Sequence, residues 1–200
     1  MVRWLGVGVL LLLLYLLHPI LLGVLGDWVR LREPLPSADA ILLLPGDRST
    51  VPQAVADFYH QGVARQILLV ARKPTRLERL GLRLPMHERQ RASLLRLGIA
   101  PQHIAILGPK LGNEVRVGQA LARWANQQTL RVLAVTAEPW GRSVRHDLRQ
   151  GLGLAPVQLA VWSAPSSRFD KHWWRSRHGL MAYFDAFVLG LRRLHTTHYL

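Results

Sequence analysis

The hydrophobic positions of the chain form two kinds of pattern. One is a single long run, Trp4 to Gly26, whose 23 residues carry no formal charge. A helix crossing a bilayer core of about 30 Å needs about 20 apolar residues, so this run is long enough to span one. The other pattern is a series of short, continuous apolar runs separated by segments of helical period. It predicts strands at 40–44, 66–71, 104–107, 132–136 and 157–162. Helices are expected at about 50–62, 86–97, 113–126, 139–151 and 178–194, where apolar residues recur every three to four positions. Parallel strands covered on both faces read as unbroken apolar runs, and strands alternating with helices imply crossover connections. The expected fold is therefore α/β, a Rossmann-like doubly wound sheet of about five parallel strands preceded by one N-terminal transmembrane helix, with the first strand central.

Punctuation supports these bounds. Ser49 or Thr50 can cap the second helix, Pro52 suits its first turn, and Gly62 and Gly98 suit helix ends. The first apolar run exceeds the roughly 7–15 residues of a signal-peptide core, which favours a retained anchor. Trp4 and Trp28 flank it as interfacial aromatics would. The organisation that follows is an anchor over 1–30, a linker over 31–37 stiffened by Pro34 and Pro36, and a Rossmann-like domain over 38–200. The domain's C-terminal helix is expected to dock on the sheet.

Charge narrows the partners. The chain carries 26 Lys and Arg against 12 Asp and Glu, a formal net charge of +14. Such a field favours anionic partners: phospholipid headgroups, phosphorylated ligands or nucleic acid. Nucleic acid is disfavoured, because the Arg-rich stretch 72–83 has no interleaved aromatics and an anchor precedes it. The absence of cysteine excludes disulfides, thiolate metal sites and a cysteine nucleophile. The scattered histidines form no H-E-x-x-H pair, so no metal site is expected. G-x-G-x-x-G, Walker and G-x-S-x-G signatures are absent as well, and the sequence names no cofactor.

In open α/β sheets, ligands bind outside the carboxyl ends of the strands. The residues placed there are Gly46, Asp47, Arg72, Asn113, Thr136 and Arg142, with Glu138 and Ser163 beside them. Arg72 and Arg142 could hold an anion, and Gly46 could offer backbone N–H groups. Glu114 and Glu88 are the candidate acid–base catalysts. Polar strand ends also occur in every α/β protein simply because turns are solvated.

Several of these positions carry a resemblance. Ala38-Asp39-Ala40 opens the first strand, Tyr59, Gly62 and Ala64 follow, and Glu88 precedes the Leu97-Gly98-Ile99 step. Glu114, then Val135-Thr136 with Arg142, then Trp173-Trp174-Arg175, Gly179 and Tyr183 complete the series. In this order and spacing the chain resembles the SanA/ElyC/YdcF family over about residues 38–185. The resemblance implies a membrane-tethered Rossmann-like domain of the bacterial envelope. Arg3 at one end of the anchor and Arg30 and Arg32 at the other do not orient it by the positive-inside rule, and the basic domain leans towards the cytoplasm; the soluble domain is nevertheless expected on the extracytoplasmic side. Family members are connected with envelope barrier function, with peptidoglycan precursor or lipid-carrier metabolism, and with S-adenosylmethionine binding. The chain departs from the family at several points. Pro45-Gly46-Asp47 replaces a glycine-rich turn, and Gly112, Val115 and Trp140 replace a threonine, an asparagine and a histidine. Two main readings follow, with a cytoplasmic-facing nucleotide or S-adenosylmethionine binder as a third. One is a factor of a membrane complex that works without catalysis, with membrane lipid and other membrane proteins as partners. The other is an envelope enzyme acting on a phosphorylated or lipid-linked substrate.

Overall fold

The computed structural model describes the backbone of residues 2–166 and 172–196, and their side chains except at 2–11, 14, 109 and 192–196. A long helix, α1 (Val2–Val29), precedes β1 (Ala40–Leu43), α2 (Thr50–His60) and β2 (Gln66–Arg72). A short helix α3 (Arg76–Arg79) and α4 (Met86–Arg96) lead to β3 (Ile104–Leu111), α5 (Glu114–Ala125) and β4 (Leu130–Ala137). Then come α6 (Gly141–Leu152), β5 (Val157–Ala164) and a terminal helix α7 (Arg177–Thr196).

The five strands pair in parallel in the order β3-β2-β1-β4-β5. This is a Rossmann-like sheet with β1 at its centre, as its unbroken apolar run predicts. All four β1 residues are buried. Successive strand side chains point to opposite faces, so β1 supplies both layers. Leu42 packs with Val117 and Leu121 of α5 and Leu148 of α6, while Ile41 and Leu43 pack with Val51 and Val55 of α2 and Leu94 of α4. The strands β3, β4 and β5 run four, one and two residues past the apolar runs that announced them. Their carboxyl ends bring polar residues such as Lys110, Thr136 and Ser163 to the edge of the sheet.

Helices α5 and α6 approach closely because each has a glycine at the crossing. A Cβ on Gly118 would lie 2.9 Å from the Gly151 Cα and 3.0 Å from the Leu152 nitrogen. The terminal helix α7 does not pack on the sheet as expected. It docks on α6 and α1, where Tyr183 and Ala186 bury against Val29 and Trp173. Trp173 stacks on Tyr183 with ring centroids 4.5 Å apart and fills the space left by Gly26.

The segment 31–37, expected as a spacer, is bonded into the domain. Arg32 forms an antiparallel bridge with Trp162, and the Glu33 amide donates to the Val161 carbonyl at 3.0 Å. The Ser163 amide donates to the Leu31 carbonyl at 2.7 Å. An exposed sheet edge presents unpaired backbone groups, and this arm covers the edge that β5 would otherwise leave open. Asp39, in the Ala-Asp-Ala start of β1, accepts the Arg131 amide at 2.6 Å and fixes the entry to the sheet.

The glycine crossing gives a test with a defined sign. Gly→Ala inside a helix ordinarily stabilises by about 1 kcal/mol. Gly118→Ala should instead destabilise by about 1–3 kcal/mol, since the added methyl meets helix backbone that cannot turn aside. Equilibrium unfolding of the full chain in mild detergent reads that sign directly.

Candidate functional site

In this strand order the chain reverses direction between β1 and β4, so the fold's ligand crevice should open between the turns after those two strands. The turn after β1 is tightly packed. A Cβ on Gly46 would lie 2.8 Å from Val51 Cγ2 and 2.9 Å from the Ala137 Cβ. Gly46 is therefore required by the close approach of Val51 and of Ala137 at the end of β4. Asp47 Oδ1 accepts the Ser49 amide at 3.0 Å and the Ser49 hydroxyl at 2.9 Å. It thus holds the start of α2, with the Thr50 amide 3.5 Å away.

The other lip of the crevice is occupied by the chain's own N-terminal arm. Glu138, directly after β4, has a side chain only 4% exposed. Its carboxylate meets Arg30 Nε at 3.2 Å and Arg32 Nη2 at 3.3 Å. Arg30 also pairs with Asp27 at 2.8 Å and donates to the Tyr183 hydroxyl at 3.3 Å. Arg32 lies over the Trp162 ring. The Leu31 amide donates to Ser163 Oγ at 3.1 Å. Leu31 itself sits against Gly141, where a Cβ would fall 2.9 Å from the Leu31 Cβ. Arg142 donates through Nε to the Trp28 carbonyl and stacks its guanidinium 4.7 Å from the Trp28 ring centroid. Glu33 completes the arm, pairing with Arg145 at 3.1 Å and accepting the Val161 amide at 2.9 Å.

The remaining candidates sit elsewhere on the rim. Arg72, ending β2, pairs with Glu114 in the first turn of α5 and donates to the Gly112 carbonyl at 3.2 Å. Asn113 caps α5 by accepting the Arg116 amide at 3.0 Å. Thr136 is buried in β4 opposite Ser163. Glu88 lies exposed in the first turn of α4. The fold thus joins Arg72 to Glu114, ties Asp47 and Asn113 to helix starts, and gives Arg142 to the end of α1. Arg30, Arg32 and Glu138 form the most connected cluster, and the two arginines were not among the sequence candidates. The switch-point rule did place Glu138 on the rim, where it is the carboxylate that follows β4 directly.

Burial pushes the Glu138 carboxyl above the ordinary carboxylate range, and Arg30 and Arg32 only partly offset that shift. No group of three or more His, Asp or Glu arranged to hold a metal occurs among the described residues. Compared with protein-family models, curated proteins and solved structures, the chain matches none. Topology alone defines its class: a Rossmann-like α/β domain, here with one lip of the crevice filled by its own N-terminal arm.

The raised Glu138 carboxyl carries a pH signature. The folded state binds this proton more tightly than the unfolded chain, so the associated stability is present below the unfolded value of about 4.5. It is lost as pH rises through the folded value. Wild type should therefore lose stability relative to Glu138→Gln as pH is raised from about 4 to 7, read by chemical unfolding at each pH. At neutral pH, Arg30→Met should destabilise by less than the roughly 3–5 kcal/mol of a fully buried broken pair, because Arg32 remains in reach.

Proposed function

We propose that the chain is a membrane-anchored, SanA/ElyC/YdcF-like protein that acts without catalysis as a factor of a membrane complex in the bacterial envelope. The observation that carries this reading is the use of the crevice-side groups. Glu138 is held by Arg30 and Arg32, Ser163 by Leu31, and Arg142 by Trp28, so the lip where substrate would enter is engaged by the chain itself. The positions Gly112, Val115 and Trp140, where the resembled family carries polar residues, point the same way.

The anchor belongs to the same proposal. The 28 residues of α1 extend about 42 Å at 1.5 Å per residue. Its end at Leu22, Leu25, Trp28 and Val29 packs on the domain, while Leu12, Leu13, Tyr15, Leu16, Leu17, Ile20 and Leu21 are exposed. Among the described residues no helix is long and apolar enough to cross a membrane; the described side chains of α1 begin at Leu12. In sequence the apolar run reaches back to Trp4, and residues 4–21 in a helix would cover about 27 Å, close to a bilayer core. The domain would sit on the extracytoplasmic side, with membrane lipid and other membrane helices as its partners.

One observation favours the enzyme reading as a second. Arg72 and Glu114 are both partly exposed on the half of the rim that the arm does not reach, a carboxylate and a guanidinium suited to a phosphorylated or lipid-linked substrate. Copurification of the intact chain in mild detergent separates the two. The complex-factor reading expects a stoichiometric membrane protein to accompany both wild type and Glu114→Gln. A Glu114→Gln variant that accumulates an envelope precursor in cells at normal abundance would overturn it in favour of the enzyme.

A further inference from the structure

Between β2 and β3 the chain makes an excursion that the core does not need. After β2 it leaves the carboxyl edge of the sheet and forms the short helix α3, which is capped at both ends. Thr75 accepts the Glu78 amide while the Glu78 carboxylate accepts the Thr75 amide at 2.8 Å. Gly81 closes the turn in the left-handed region at φ +70°, with the Leu82 amide donating to the Leu77 carbonyl at 3.0 Å. The result is a built knob. Its leucines nevertheless point outward: Leu77 is 49% exposed, Leu80 60%, Leu82 73% and Leu84 62%.

The charges around these leucines are sorted by sign. Lys73, Arg76 and Arg79 are exposed. The one acid between Lys73 and Leu84, Glu78, is turned inward, its side chain 5% exposed and paired with Arg89 at 3.4 Å. Backbone and side-chain hydrogen bonds from Thr75, with Arg89, hold its carboxyl below the usual range, so it stays ionised and engaged. What faces out is apolar and cationic. Exposed leucines ringed by basic residues match the interface of an anionic bilayer, where apolar groups enter the acyl boundary and cations meet headgroups. The placement fits too. Because all five strands are parallel, the end of β2 and the end of β4 lie on one edge of the sheet, the edge from which α1 departs through the Arg30–Glu138 contact.

We propose that the Leu77–Leu84 knob is a second membrane contact, inserting its leucines into the headgroup region of anionic phospholipid and setting the carboxyl rim against the bilayer. This inference rests on the anchor reading above. A second point of attachment would fix the tilt of the packed domain–α1 unit against the bilayer, which α1 alone would leave open. The open Arg72–Glu114 half of the rim would then face headgroups.

The chain has no cysteine, so single cysteines can be introduced cleanly for an environment-sensitive label. The full chain carrying Leu82→Cys with an NBD label is placed in nanodiscs of phosphatidylcholine with or without phosphatidylglycerol. Leu154→Cys, fully exposed beyond α6 at the opposite edge of the sheet, serves as the comparison site. In anionic discs the label at 82 should shift to the blue and be shielded from an aqueous quencher, while the label at 154 stays accessible. High salt or Arg76→Glu with Arg79→Glu should reverse that shielding, since each basic residue strengthens attachment to an anionic surface about five-fold. A water-like signal at 82 on disc-bound protein overturns this contact alone. Shielding that appears in detergent and grows with protein concentration overturns it in favour of a second copy of the chain. A chain that never enters the discs overturns the anchor reading, and the second contact falls with it.

Discussion

A buried carboxylate at the end of β4 is the constraint around which the rest is arranged. Glu138 lies where the fold would ordinarily admit a ligand, and a charge so placed requires cationic partners on the protein side. The chain supplies them from its own N-terminal arm. To bring Arg30 and Arg32 to that carboxylate, the arm must lie along β5, and there its backbone meets the edge strand in antiparallel register. Trp28 then falls under Arg142, Leu31 against Gly141, and the end of α1 against Trp173 and Tyr183. The apolar helix and the Rossmann-like domain thus form one packed unit at their junction.

That arrangement divides the carboxyl rim in two. The lip between β4 and β5 is occupied by the arm, whereas the β2–β3 side presents Arg72 with Glu114 and then the leucine knob. A domain built this way is suited to holding a fixed attitude relative to its apolar helix. For a factor that works by position, rigid attachment is the useful property. For an enzyme, the same attachment would restrict approach to the β2–β3 side.

The sheet was legible in the sequence because burial on both faces is a local property. Runs such as Ile67 to Val70 and Val132 to Val135 are short, unbroken and half β-branched, and so read as strands covered on both faces, where they are indeed buried. The helix positions were legible for the same reason, but their caps were not: Asp47 rather than Ser49 or Thr50 holds the start of α2, and Asn113 caps α5. The arm was not. Leu31 to Glu33 looks like a polar, proline-flanked spacer, and its pairing with β5 spans 128 residues between Glu33 and Val161. Nothing local marks a strand that forms only by adding to an edge. The same holds at the turn after β1, where no local pattern announces that Gly46 packs against Val51 and Ala137 and that Asp47 holds the start of α2.

Hydrogen exchange on the intact chain in detergent or nanodiscs tests the central claim most directly. If the arm is bonded to β5 and clamped on Glu138, the amides of Leu31 and Glu33 and those of Val161 and Ser163 should exchange together and slowly, as interior sheet amides do. Fast exchange at Leu31 and Glu33, with Val161 and Ser163 behaving as an open edge, would contradict the account.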